Sequence, residues 1–218
     1  MNTLSEDITE QDTDVLKRGR PRSDLKNQEI LDAAVTLFLH HGYDGTSMDA
    51  VAKCACVSKQ TVYSHFTKKE ALFAAAVAHK ISDYFPEAVL EVFGKRTIEE
   101  ELYIIARNFA GLLLGGEAMA MFRVLVDAAP KDNNLAEIFW ETGPSVMLCH
   151  LADFLKHWVD RGVLNIDDLM EAGMMLVMLL KGNLHFMLSI GLIKEVPVDL
   201  LDSHAQKAVD AFLKLYRA

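Results

Sequence analysis

Val57-Ser58-Lys59-Gln60-Thr61-Val62-Tyr63-Ser64-His65-Phe66 is the stretch on which the reading of this chain turns. Ser58 is a good helix-capping residue, because its hydroxyl can accept from a free backbone N–H of the first turn. Val62 and Phe66 stand four apart and pack to the same side of the helix that follows. Lys59, Gln60, Thr61, Tyr63, Ser64 and His65 are left facing outward. Immediately before this helix, Ala55-Cys56-Val57 makes a tight break after a short helical stretch. Two short helices joined this way cross steeply, which needs small or apolar residues at the contact, and Ala52, Ala55 and Val57 supply them. The arrangement is that of a helix-turn-helix, with the quoted stretch as its outward-reading helix.

Helical spacing continues on both sides. Upstream, Ile30, Ala34, Leu37 and Phe38 stripe a first helix from Leu25 to His41, and Gly42 ends it. Thr46 or Ser47 caps a second helix whose inward residues are Met48, Val51 and Ala52. Downstream, Thr67 and Glu70 have the spacing of a capping box opening a long fourth helix toward Phe85 and Pro86; Thr97 and Glu100 repeat that spacing ahead of a helix that stops at Gly115-Gly116. Further helices are expected over 117–129, 134–161 with a break at Gly143-Pro144, 167–190 and 199–217. No segment alternates with period two, so the fold class is all-α. Residues 1–22 read as a disordered acidic tail and a basic arm, 23–67 as a three-helix DNA-binding domain, and 68–218 as a larger helical regulatory and dimerisation domain.

Charge agrees with that division. The net charge of −9 argues against a nucleic-acid partner only if it is spread evenly. Residues 1–16 hold five acids and no Lys or Arg, residues 17–70 hold nine basic and six acidic side chains, and residues 71–218 hold thirteen and twenty. One compact basic segment in an acidic protein is what a single phosphate-facing surface requires.

The quoted stretch, with Ala33-Ala34, Leu37-Phe38, Gly42-Tyr43, Thr46-Ser47-Met48, Val51-Ala52 and Lys68-Lys69-Glu70-Ala71-Leu72, resembles the tetracycline-repressor-like (TetR/AcrR) regulators from Ile30 to Phe73. The resemblance implies a homodimeric transcriptional regulator, commonly a repressor released by a small ligand. Members usually have Gly where this chain has Cys56. A non-Gly residue kept at positive φ there costs about 1–2 kcal/mol. Cys54 and Cys56 read as small buried residues of the turn rather than a redox pair. By chemistry, Thr46, Tyr63, His65 and Lys69 are candidates for holding phosphates, and Lys59, Gln60 and Thr61 for reaching base edges of double-stranded DNA. A two-fold dimer expects a near-palindromic operator. Arg18-Gly19-Arg20-Pro21-Arg22 resembles the core of an AT-hook, in which Arg20 and Arg22 would enter a narrow minor groove.

The rest of the chain excludes more than it names. The three cysteines form no CxxC or disulfide framework, and no signal peptide is expected, so a reducing cytoplasm is the expected compartment. Ala172–Ile193 is apolar enough to suggest a membrane span, but Lys181, Asn183 and His185 lie at its centre, and it reads as a buried helix. His150, Asp153 and His157 share a helix face without metal-ligand spacing, and Asp167-Asp168 suits a helix N-terminus; no metal or cofactor is expected. No catalytic motif is found. Phe109, Met121, Phe122, Trp140, Met147 and Trp158 are candidates for lining a cavity for a largely apolar effector. Arg123 is either a ligand anchor or the partner of Asp127. The run from Gly173 to Leu180 is apolar all round, and Leu176 and Leu180 are expected at a dimer interface. The rival readings are a DNA binder that senses nothing and an all-α enzyme carrying a nucleic-acid module.

Overall fold

Side-chain caps start four of the helices in a computed structural model that describes residues 22–84, 94–128, 130 and 133–218. Among these residues the helices are α1 (Arg22–Gly45), α2 (Met48–Cys54), α3 (Lys59–His65), α4 (Lys69–Tyr84), α5 (Ile98–Leu114), α6 (Gly116–Ala128), α7 (Asn133–Thr142), α8 (Pro144–Asp160), α9 (Leu169–Ser189) and α10 (Val198–Tyr216). The expected tail and Arg20 lie outside the described residues.

Gly42, at φ 72°, interrupts α1 one turn before its end, where a left-handed residue is needed. Of the two capping candidates for α2, Ser47 takes the role, its hydroxyl accepting from the Ala50 N–H at 3.1 Å. Ser58 caps α3 in the same way, accepting from Thr61 N–H at 3.0 Å. At α5 the Thr97–Glu100 capping box forms in both directions. Asp168 caps α9 through Oδ1, which accepts from the N–H groups of Met170 and Glu171, each at 2.9 Å.

The expected Thr67–Glu70 box is not what starts α4. The Leu72 N–H bonds to the Lys68 carbonyl at 3.2 Å, so Lys68 holds the cap position and Thr67 falls one residue outside it. The reason lies at Phe66, whose backbone stays extended (φ −135°, ψ 110°) while its ring packs into the core, delaying the helix.

Two apolar cores organise the helices. The first joins α1 to α4 through Ile30, Ala34, Phe38, Val51, Val62, Leu72 and Phe73, and continues into α6 and α7 through Met121, Leu125, Ala128 and Leu135. The expected division at 67/68 therefore does not divide the packing: α6 lies directly on α1. The second core gathers α5, α8, α9 and α10 around Leu102, Phe154, Leu155, Leu176, Leu180 and Phe212.

That second core corrects the expected dimer residues. Leu176 and Leu180 are both 0% exposed within the single chain, so no surface of theirs remains for a partner. Helix α9 is long and apolar enough to cross a membrane, but it packs along α5, α8 and α10. Its all-round apolarity is divided: Ala172, Leu176, Leu180 and Leu184 are buried, while Met175, Met178 and Phe186, with Ile190 just past its end, are exposed. Gly182 (φ 48°, ψ −152°) breaks the helix midway. There His204 of α10 donates from Nε2 to the Leu180 carbonyl at 2.8 Å. A Cβ at position 182 would stand 2.8 Å from the His204 ring, so glycine is required both for the conformation and for the space.

Candidate DNA-binding face and ligand cavity

Helix α3 carries its polar side outward as expected. Val62 is fully buried and Phe66 nearly so, which rolls Lys59, Gln60, Tyr63 and Ser64 into solvent, with Tyr63 49% exposed. Thr61 and His65 sit half-buried at the edges of that face, and the Thr61 hydroxyl is 2.8 Å from that of Ser58. The Lys59 ammonium is paired with the Asp49 carboxylate on α2. Both groups are exposed, and such a pair contributes only about 0–1 kcal/mol, so Lys59 can leave it for a base or phosphate.

Two expected phosphate contacts have structural duties instead of, or besides, that role. Thr46 is 2% exposed, and its hydroxyl donates to the Gly42 carbonyl at 2.8 Å. It holds the turn between α1 and α2 and offers no surface to a phosphate. Lys69 donates to the Tyr43 carbonyl at 2.9 Å and stands 4.2 Å over the Tyr43 ring. Tyr43 is itself packed against Phe38 and Phe73, so Lys69 ties the start of α4 to the end of α1. Arg22 opens α1 at the edge of the described residues.

A cavity of about 440 Å³ lies between α4 and the bundle. It falls within the roughly 300–1,000 Å³ typical of small-molecule sites. Five of the six expected ligand-lining residues of the bundle meet in its wall: Phe109, Met121, Phe122, Trp140 and Met147. Trp140 is 46% exposed and stands where the cavity meets solvent. Helix α4 contributes Val77, Lys80 and Ile81, and α9 contributes Met174, Val177, Met178, Lys181 and His185. The wall is thus almost wholly apolar, with Lys80, Lys181 and His185 as its titratable groups. Burial lowers the pKa of Lys181 below the ordinary lysine value. Burial, and then the nearby Lys181 charge, lowers that of His185.

Comparison with known proteins agrees with this geometry. The family model described as "Bacterial regulatory proteins, tetR family" matches residues 30–76, and "AefR-like transcriptional repressor, C-terminal domain" matches 100–218. The chain belongs to the TetR family of transcriptional regulators. Among solved structures, a TetR-family regulator of Mesorhizobium loti superposes with a TM-score of 0.78 at 31% identity, over 91% of this chain and 100% of that one. The flavonoid-responsive regulator FrrA gives 0.68 at 30% identity, over 89% and 98%. Of the curated relatives, the HTH-type regulator YdeS of Bacillus subtilis is 31% identical over 121 residues, 56% of this chain and 58% of that protein. The fatty acid metabolism regulator of the same organism is 27% identical over 49% of this chain and 53% of its own length. The matches therefore span about half the length of these curated relatives.

In this TetR-family chain the remaining expectations come out unevenly. Cys56 does take positive φ, at 54°, although it is not glycine. Cys54 and Cys56 are exposed rather than buried; the small buried contact at the turn is Ala52. Arg123 lines no part of the cavity and donates from Nη2 to the Leu188 carbonyl at 2.9 Å, tying α6 to the end of α9. Trp158 belongs to the second core and not to the cavity. Among the described residues no group of three or more His, Cys, Asp or Glu is placed to hold a metal. The cavity residues of α4 and α9 were not anticipated from the sequence. A signal for two of them was present: Lys181 and His185, four apart in an apolar run, share one face of a helix.

Proposed function

We propose that this protein is a homodimeric repressor that holds a near-palindromic operator through α3 and the arm around Arg20 and Arg22, and releases it when a small, largely apolar effector fills the cavity. The observation that carries this reading is the double duty of the cavity wall. Met121 and Leu125 of α6 and Val77 of α4 line the cavity and also belong to the core that packs on α1. His79 of α4 adds a polar tie, with Nε2 3.0 Å from Oδ1 of Asp32 on α1.

A molecule that spreads α4 from α6 therefore pushes on the helix against which the recognition helix is mounted. Major-groove half-sites on one DNA face lie about 34–36 Å apart, so a displacement of a few ångströms in each subunit misaligns the pair. The effector shifts the equilibrium only by its preference for the releasing form; a coupling of about 1–3 kcal/mol lowers operator affinity about 5–150-fold.

Association of two copies is supported by the open row of Met175, Met178 and Phe186 on α9 and Ile190 just after it. Such a row loses water on pairing with its own two-fold copy. Because Met178 also lines the cavity, effector and partner would meet on the same helix. The cytoplasm, where DNA is reached, is the expected compartment.

The test is a thermal-shift screen followed by operator titration with and without each hit. Linkage requires operator DNA to weaken effector binding by the same factor. Compounds that bind the cavity and leave operator affinity unchanged would overturn the release mechanism and favour a DNA binder without a sensor. Ala118→Trp, which fills the cavity wall, should abolish the response to a true effector.

A further inference from the structure

Lys181 is the exceptional side chain of the cavity wall. It is half-buried in the wall that Met174, Val177 and Met178 also line, and among the described residues it makes no hydrogen bond or ion pair. Lys80, in the same wall, is paired with Glu117 at 2.9 Å. An ammonium drawn from water without an acid beside it is a cost that folding alone gives no reason to bear. His185 stands one turn further along the same face. Its ring lies edge-on to Phe122 at 5.2 Å, and its Nδ1 is 3.4 Å from the Ser189 hydroxyl. Two nitrogen-bearing side chains of one helix thus line a chamber whose other titratable group, Lys80, is paired with Glu117.

We propose that the cavity takes an amphiphile with an apolar body and an anionic head group, and that Lys181, assisted by His185, holds the head. The proposal rests on the effector reading above and narrows its chemistry. An anion supplies the charge and the acceptor atoms that Lys181 lacks, and a hydrogen bond between charged groups in a water-poor site is among the strongest available. A neutral chain of the same length gains only apolar burial, and a cationic one is opposed by Lys181. Burial lowers the pKa of both groups, and the Lys181 charge lowers that of His185 further, so an anion beside them would favour their charged forms. The head would also lie beside Gly182, where α9 breaks and where its outer face carries Phe186.

Isothermal titration of the full-length protein with decanoate, decanol and decylamine tests this, because the three share one chain and differ in head charge. Decanoate is expected to bind at least about tenfold more tightly than decanol, with decylamine weakest. Lys181→Met should bring decanoate down to the level of decanol while leaving decanol binding unchanged, and Lys181→Arg should keep the preference. Equal binding of decanoate and decanol, or a preference that survives Lys181→Met, overturns the head-group assignment and leaves the cavity reading standing. Failure of all three to bind, or binding undiminished by Ala118→Trp, overturns the cavity reading and this proposal with it.

Discussion

The head formed by α1–α3 and the bundle formed by α5, α8, α9 and α10 are both helices around apolar cores, yet the surfaces proposed for function are opposite ones. In the head the helices are short, one side of each is buried, and the informative residues are those left outside: Lys59, Gln60, Tyr63 and Ser64 stand in solvent because Val62 and Phe66 do not. In the bundle the helices are long and the informative feature lies inside, where the cavity against α4 and α6 is left unfilled. An outward face is specified by one helix and its own spacing. A cavity exists only where several helices fail to close on one another, so no single helix encodes it.

The sharpest way to break this comparison is on α9, which has both kinds of surface. Phe186 is 63% exposed, so Phe186→Glu leaves a solvated charge on a folded monomer but a desolvated one in a paired dimer. Sedimentation should show monomers, and operator affinity should fall by about 100-fold or more, because two linked contacts become one. Leu176→Glu places the charge in the core and should remove the cooperative melting transition. A dimer that persists with Phe186→Glu would show that the outer face of α9 is not the interface.

The next largest effect is expected on α3 and at the start of α4. Gln60→Ala should relax discrimination at one base position by about 1–3 kcal/mol, read by competition between operator variants. Lys69→Ala should weaken all sequences alike and flatten the salt slope by about one unit. By removing the Tyr43 contacts it should also lower stability by about 0.5–1 kcal/mol. Identical behaviour of the two variants would erase the separation between reading and gripping.

A smaller effect sits in the turn. Cys56 holds φ 54°, a conformation that costs a non-Gly residue about 1–2 kcal/mol. Glycine relieves this but loses about 0.4–1 kcal/mol through the greater freedom of its unfolded chain. Cys56→Gly should therefore gain about 0.5–1 kcal/mol in chemical denaturation, with operator affinity preserved. A loss of stability would mean that the turn needs the cysteine side chain.

The smallest belongs to His185. Its pKa is lowered in the folded chain, chiefly by burial and then by Lys181, so the unfolded chain binds its proton first as pH falls. Its contribution to stability is present above the ordinary histidine pKa and is lost as pH drops from there through the lowered folded value. The decrease in Tm between neutral and mildly acidic pH should accordingly be smaller in His185→Gln than in the parent. An unchanged decrease would remove His185 from the acid response.

Much of the head could be read from the sequence because its elements are set locally. Ser58 caps α3, Gly42 interrupts α1, and the i, i+4 pair Val62 and Phe66 orients the recognition helix, each within a few residues of its partner. The all-α class, the order of the helices, the Thr97 capping box and the family followed from the same short-range patterns. The tertiary structure decided what required distant residues. It buried Thr46 under the end of α1, drew Lys69 onto Tyr43, and moved the start of α4 past Thr67 so that Phe66 could reach the core. It turned Leu176 and Leu180 inward and left Phe186 outside, a distinction invisible in a helix apolar on every side. It also gathered Lys181 and His185 with Phe109, Met121 and Trp140 from helices far apart in the chain. Caps and spacing are properties of neighbouring residues, whereas burial is a property of the whole packing, and only the second determines which of several apolar faces closes.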